Sequence, residues 1–583
     1  MGIRQKMIWV AVAAIATQSC GGSSPESADY VSADYVFAGG KVYTVAEAQP
    51  WAEAVAVQGK KITFVGSDAD AKKYIGEDTQ VIDLAGKMLL PGFVEGHFHP
   101  ITGALLTVGA DLQYDPVEQV LDAVKKYADA NPDLKVVRGF GWRYTTFAST
   151  GPTKELLDEI VPDRPVFLFA VDGHGGWVNS KALEMAGITR DTPDPQPGYS
   201  SFQRDPETGE ATGYLVEVPA ELQVLNKLQP QNIASIGKAF EDLLPKFPAA
   251  GVTAVFDAGI QGVSSEDGFN LYMELEKKGQ LPIRVVGSYY HNDPKTDPLP
   301  IIQSYRKSFQ SELVQAEVLK INVDGGDAQF TAVMLQPYAS KPEITGKPIF
   351  TPEQLNDMTK RADAQGIDIH FHAFGDGAVR MSLDAVEAAI AANEARDRRH
   401  TIAHAMYIQE EYDLPRFAEL DVITSMSMQW AAPDLSNLKL AVANLGEGIV
   451  RTRFMRARSL VDSGAKLSFG TDWPAAGYYS TYKPLEAIQV AVTREMLRGP
   501  GLEPIMPPVN EVLTLEQAIK ANTFTSAYQL RLDDRVGSIE VGKLADLVVL
   551  EKNLFDVAPG KISDVDVLLT MMNGNVTYRE NGF

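Results

Sequence analysis

LLPGFVEGHFH, residues 89–99, is a short apolar run closed by two histidines. Punctuated by Pro and Gly and otherwise apolar, it reads as a buried strand. Seven more segments share that form: VTAVFDAG (252–259), IRVVGSYYH (283–291), VLKINVDG (318–325), IDIHFHAF (367–374), HTIAHAM (400–406), DVITSMSM (421–428) and KLSFGTDW (466–473). Between them, TPEQLNDMTKRADAQG (351–366) and AVRMSLDAVEAAIAANEA (378–395) carry apolar residues at helical spacing. Eight strands alternating with helices predict an α/β chain folded as a (β/α)8 TIM-type barrel over residues 89–529. Chemistry in such a barrel belongs at the C-terminal ends of the strands. The gap between the first two strands is too long for a loop. Residues 100–250 are therefore expected to form a large inserted subdomain after strand one, placed as a lid over the barrel mouth.

Both ends of the chain read differently. VFAGGKVYTV (36–45), AEAVAVQGKKITFVGS (52–67) and TQVIDLAGKMLLPG (79–92) are short β-rich segments separated by Gly and Asp, and GSIEVGKLADLVVLEKN (537–553) and VDVLLTMMNGNVTYRENG (565–582) repeat the pattern. Residues 36–88 and 530–583 are expected to complete one flanking β-sandwich. At the start, Arg4 and Lys6 precede the apolar stretch Met7–Ala16, the form of a secretory signal over residues 1–20. Cys20, the sole cysteine, precedes GGSSPES, part of a small polar tether over residues 21–35. This resembles a bacterial lipoprotein signal with Cys20 as the acylated first mature residue, although Thr17 and Gln18 fit that pattern poorly. Export to the periplasm or cell envelope follows, with the membrane touched only through the lipid; cleavage near Ser19 with a free thiol is the plainer alternative.

The net charge of −23 repels phosphate backbones, which argues against nucleic acid as a partner. A single cysteine excludes an internal disulfide or a Cys-rich metal site. Seven of the eight histidines fall in four short stretches, so the search for chemistry begins there. His97 and His99 flank Phe98, and alternation along a strand turns both imidazoles to one face, where they can grip one metal ion. His372, His404 and Asp472 each end an otherwise apolar run on strands five, six and eight. Burying such groups without partners is costly. Four imidazoles and a carboxylate converging on one barrel face suit a zinc-type hydrolytic site. Lys320 lies in VLKINVDG; buried near cations it would lose its proton readily and could capture carbon dioxide as a carbamate bridging two metals. Its alternative is an outward lysine paired with an acid. Asp472 has an alternative too, as the cap of a helix before Pro474.

Beyond these, His174 in VDGHGGWVN reads either as a donor to a substrate carbonyl or as a turn histidine, with Asp172 beside it. Glu217 is expected at the metal site, at a substrate amine, or in an ordinary ion pair. Trp177 and Trp142 are candidates for an apolar acyl pocket or for plain core, and His370 for orienting a ligand or aspartate. Asp376 reads as the cap of the following helix.

Taken together, PGFVEGHFHP (91–100), DGHGGWVNSKAL (172–183), TGEATGYLVE (208–217), KINVDG (320–325), HAFGDGAV (372–379), IAHA (402–405), GTDWP (470–474) and GKLADLVVL (542–550) resemble the amidohydrolase superfamily. Within it they resemble amidohydrolase family 3, the YtcJ-like branch that includes N-substituted formamide deformylases. The resemblance covers nearly the whole chain after Val36. It implies two divalent ions, usually zinc: His97 and His99 would bind the buried one with Asp472, His372 and His404 the other, and N-carboxylated Lys320 would bridge them. Glu95 stands where relatives frequently have Asp, and Arg399 where many carry an arginine near the ligand. A shared water with its pKa lowered toward neutrality would attack as hydroxide, with Asp472 as general base and then proton donor.

The expected activity is hydrolysis of a non-peptide C–N bond, such as an N-acyl or N-formyl amide, in a small-molecule substrate. Hydrolysis of a carbamate, ester or lactone is the near alternative, heterocycle deamination a further one, and an exported metal- or solute-binding barrel without turnover the non-enzymatic one. Self-association as a homodimer stays open. No GxSxG elbow and no phosphate loop occurs, which leaves serine-hydrolase and nucleotide-driven chemistry without support.

Overall fold

The computed structural model describes residues 32–114, 116–147, 151–475 and 481–583. The proposed signal and Cys20 lie outside these residues. Among the described residues, no helix is long and apolar enough to cross a membrane.

Eight parallel strands form the central sheet: Phe93–Phe98, Val252–Asp257, Arg284–His291, Val314–Asn322, Ile369–Ala373, Thr401–His404, Ile423–Met426 and Leu467–Phe469. They are ordered around the sheet as they are in the chain. Their residues are almost continuously buried because helices cover the outer face and side chains fill the inside. The chain just after strand eight returns to strand one: the Asp472 N–H donates to the His97 carbonyl at 2.8 Å and the His99 N–H to that of Trp473 at 3.1 Å. Those two bonds bring the two ends of the sheet together into a (β/α)8 barrel.

Residues 89–99, expected as one strand, are two. Met88–Pro91 lies between Lys41–Tyr43 and Leu547–Leu550 in a flanking six-stranded sheet, and the barrel strand begins at Phe93. Gly92 makes the break, since a Cβ there would stand 2.3 Å from the Thr253 methyl. Both halves are fully buried, so hydrophobicity alone carries no trace of the junction. The six-stranded sheet, with strands from both ends of the chain, stacks on a four-stranded sheet of Lys61–Gly66, Ala54–Gln58, Tyr35–Ala38 and Gln80–Asp83. Phe37, Val55 and Ile62 from one sheet meet Leu89, Leu547 and Leu569 from the other in the sandwich core.

After strand one the chain builds a separate six-stranded sheet in the order Ser201–Arg204, Ala211–Val216, Gly175–Val178, Val166–Ala170, Val137–Trp142, Ala110–Asp111. The helix Val117–Ala130 buries Val120, Val124 and Ala128, one residue per turn, against it. Trp142 and Trp177 belong to that core. Their indole N–H groups donate to the carbonyls of Leu168 and Thr153 at 3.0 and 2.8 Å, and neither ring lines the cavity at the barrel mouth.

Candidate metal centre

The polar strand ends meet inside the barrel mouth. Ligand atoms of His97, His404 and Asp472 all lie within 4.8 Å of one another, and the three residues are buried. The Nε2 atoms of His97 and His99 each sit 3.2 Å from Asp472 Oδ1, and His404 Nδ1 lies 3.9 Å from Oδ2. The His372 and His404 rings are 4.4 Å apart. Lys320 points inward, with Nζ 3.5 Å from His97 Nε2. Two of these residues hold left-handed backbone, His404 at φ 69° and Asp472 at φ 54°. Such conformations are unfavourable for residues with a Cβ and persist where the surroundings impose them, often at functional sites. Among the described residues no helix starts at residues 473–475, so Asp472 does not act there as a helix cap.

The donors fit a divalent ion. Burial, foremost, holds the imidazoles of His97, His372 and His404 well below the usual range, leaving them neutral with lone pairs to give. Both ring nitrogens of His404, and Nε2 of His372, are buried without a hydrogen-bond partner among the described residues. Each such orphan costs roughly 1–3 kcal/mol unless something binds it. His99 gives its Nδ1 side to the Gly259 carbonyl at 3.1 Å. Its Nε2 side faces the Asp472 carboxylate, an approach that a shared cation would make attractive. His370 Nε2 lies 2.9 Å from His97 Nδ1 and fixes that ring. Burial pulls the Lys320 ammonium down to about 7 against the opposing pull of Asp472, so free amine is present at neutral pH. Beneath the cluster, Glu95 accepts from the Thr471 N–H and hydroxyl, and burial pushes its carboxyl up to about 7.

Above the cluster is a cavity of about 150 Å³. The insertion and the loop after strand four share its wall. Asp172 accepts from the Tyr144 hydroxyl at 2.8 Å, the His174 N–H at 3.0 Å and Gln329 Nε2 at 2.7 Å, binding the two together. His174 lines the cavity, and its Nδ1 is 2.6 Å from Glu217 Oε2. Burial opposes a charge on His174, but Glu217 outweighs it and raises the imidazole to about 10. His174 is thus a cationic donor facing the cavity. Glu217 does not reach the metal cluster or the cavity: His174 takes one of its oxygens and the Thr331 hydroxyl the other, at 2.6 Å. Its ion-pair alternative describes it.

Other expectations change in three dimensions. Arg399 lies away from the centre, paired with Asp397 and Asp533. Asp376 is the first residue of its helix and does not cap it; it accepts from the Leu335 N–H and pairs with Arg453. Trp430, stacked on His404 at 5.4 Å, and Glu221 both line the cavity and went unnoticed in the sequence. For Glu221 a signal existed, because it stands one helical turn after Glu217.

The sequence profile of the amidohydrolase family matches residues 80–578. The chain belongs to that family. Protein LONG AFTER FAR-RED 3 of Arabidopsis thaliana is 30% identical over 557 residues, covering 94% of this chain and 92% of the relative. N-substituted formamide deformylase of Arthrobacter pascens is 28% identical over 562 residues, 94% of this chain and 99% of the relative. The crystal structure of an uncharacterized metal-dependent hydrolase from Pyrococcus horikoshii shares the fold with a TM-score of 0.69 at 22% identity, over 90% of this chain and 99% of that one. Among the described residues of this amidohydrolase, His97, His404 and Asp472 form the candidate metal site.

Proposed function

We propose that this amidohydrolase cleaves a C–N bond other than a peptide bond, in an N-acyl or N-formyl amide. It would use two divalent ions, zinc foremost, held by His97, His99 and Asp472 and by His372 and His404, with N-carboxylated Lys320 between them. The observation that carries the reading is the convergence of four imidazoles, a carboxylate and an inward lysine on one cluster, with both ring nitrogens of His404 and Nε2 of His372 lacking a hydrogen-bond partner among the described residues. Similarity to N-substituted formamide deformylase favours an amide substrate.

Bound there, the ions would supply Lewis acidity toward the scissile carbonyl and acidify water. The protein's own groups supply the rest. Asp472 accepts a proton from the attacking water and returns it to the leaving nitrogen. His174, held charged by Glu217, donates to the carbonyl oxygen as negative charge develops on it. The Lys320 free amine adds carbon dioxide, releasing one proton and leaving an anionic carbamate. We also propose export with acylation at Cys20; a mass spectrum of the mature N-terminus showing an unmodified Cys20 overturns that. The activity is tested by assaying the zinc-loaded protein, with a chelated control, against N-formyl and N-acyl amides, carbamates and lactones. Amide turnover that the chelator abolishes is the expected result. Turnover of esters or lactones alone overturns the amide assignment.

A further inference from the structure

The helix Glu217–Leu228 presents Val218, Glu221 and Leu222 to the cavity, residues whose spacing puts them on one helical face. Two are apolar and the third is an acid. Glu221 is 1% exposed, and its Oε1 has no hydrogen-bond partner among the described residues. A buried carboxyl left this way is costly, whereas an aliphatic side chain of similar size would pack there freely.

The same cavity holds two more unpartnered oxygens, Asn322 Oδ1 and Gln329 Oε1. Gln329 has its amide direction set, because Nε2 donates to Asp172 and turns the carbonyl free. Away from the metal cluster, Trp430 Nε1 is the one fully buried unpartnered donor among the described lining residues to set against these three acceptors. Asp327 adds a further carboxylate to the wall, while the charge of His174 is already matched by Glu217. Leu105, Phe169, Val171 and Leu222 are among the apolar residues of the wall. A bare metal ion would find too few oxygens in such surroundings. An organic cation, with an aliphatic stem and three N–H groups, suits them.

We infer that Glu221 is a specificity-determining carboxylate that receives a primary ammonium group on the part of the substrate away from the scissile bond. This rests on the hydrolase reading of the centre and narrows its substrate class to acylated amines bearing a second, basic nitrogen. Burial pushes the Glu221 carboxyl well up, His174 pulls it down, and Glu217 and Asp172 push it up again. A cation brought close is what relieves that balance.

The test compares N-formyl-1,4-diaminobutane with N-formylpentylamine, which differ by an ammonium in place of a methyl group. In the zinc-loaded wild type, kcat/KM for the cationic member should exceed that for the neutral one by about tenfold or more, as one charge-assisted hydrogen bond allows. In Glu221→Gln that ratio should fall to about one or below. Each ratio is internal to one protein, so partial loss of folded enzyme cancels. Calorimetric binding of the non-hydrolysable methanesulfonamides of the same two amines should show the same preference and the same loss. If neither formamide is turned over, the amide reading fails and the binding arm still decides the role of Glu221. Equal binding of the two sulfonamides by the wild type, or a preference that survives in Glu221→Gln, overturns the inference.

Discussion

Asp472 carries its carboxylate into the centre on a left-handed backbone, bonded through its N–H to the carbonyl of His97. Exchanging it for Asn keeps the shape and removes the base. Asp472→Asn should lower kcat by about 10²–10⁴-fold while most of the zinc, assayed by mass spectrometry, stays bound. Retained turnover would remove Asp472 from the proton path. His370 acts through His97, so His370→Phe should weaken metal affinity about 10–100-fold in a chelator competition. Unchanged affinity would reduce it to packing. The candidate ligands were legible because each is a polar residue ending an apolar run, and a barrel brings strand ends together whatever the loops do. Glu217 and Glu221 were less so. Which of two acids on one helix meets His174, and which faces the cavity, depends on how the insertion docks on the barrel, and local spacing does not encode that.

At the scale of elements, the helix Pro352–Asp363 opens with a capping box between Thr351 and Gln354 and ends in a buried charge. Asp363 accepts from Asn393 Nδ2 at 2.8 Å, Arg396 Nε at 2.7 Å and Arg398 Nε at 2.9 Å, pinning the link between the next helix and strand six. Burial works against its charge, yet hydrogen bonds from His400, Arg398 and Asn393 and the charge of Arg396 hold the carboxyl far below the usual range. A depressed folded pKa contributes stability above the unfolded value and loses it as pH falls below about 4. Asp363→Asn should therefore cost about 3–5 kcal/mol at pH 7 and about 1 kcal/mol less than that at pH 3, the cost shrinking further as pH falls, measured by urea unfolding. Equal losses at both pH values would show that the charge is not what holds the link. The strand and helix pattern of this region was plain in the sequence. The split at Gly92 was not, because it is a matter of which sheet each buried half joins.

Across the whole molecule, barrel and sandwich are joined by Arg284, buried at the start of strand three. Its guanidinium bonds Asp546 Oδ2 at 2.5 Å and Asn573 Oδ1 at 2.7 Å. Asp546 in turn accepts from the Asn573 N–H at 2.9 Å, and its carbonyl from that of Gly92, also at 2.9 Å. Arg284→Met leaves Asp546 buried without its cation, a loss of about 3–5 kcal/mol. Calorimetry should then resolve two thermal transitions, sandwich before barrel; a single transition at the wild-type temperature would refute the coupling. The sandwich itself was readable from the β-rich pattern repeated at both ends, but the Arg284–Asp546 pair spans 262 residues and leaves no local mark.

The seam between Met88–Pro91 and Leu547–Leu550 also sets an order of events during synthesis. The Leu554 N–H, which reaches the Met88 sulfur at 3.3 Å, is 466 residues downstream of it. Domains generally fold as units while the chain emerges, but here a strand made early waits for one made near the end. A nascent chain halted short of residue 547 would leave Met88–Pro91 with one edge bare, a sticky template for neighbouring polypeptides until the ribosome delivers its partner.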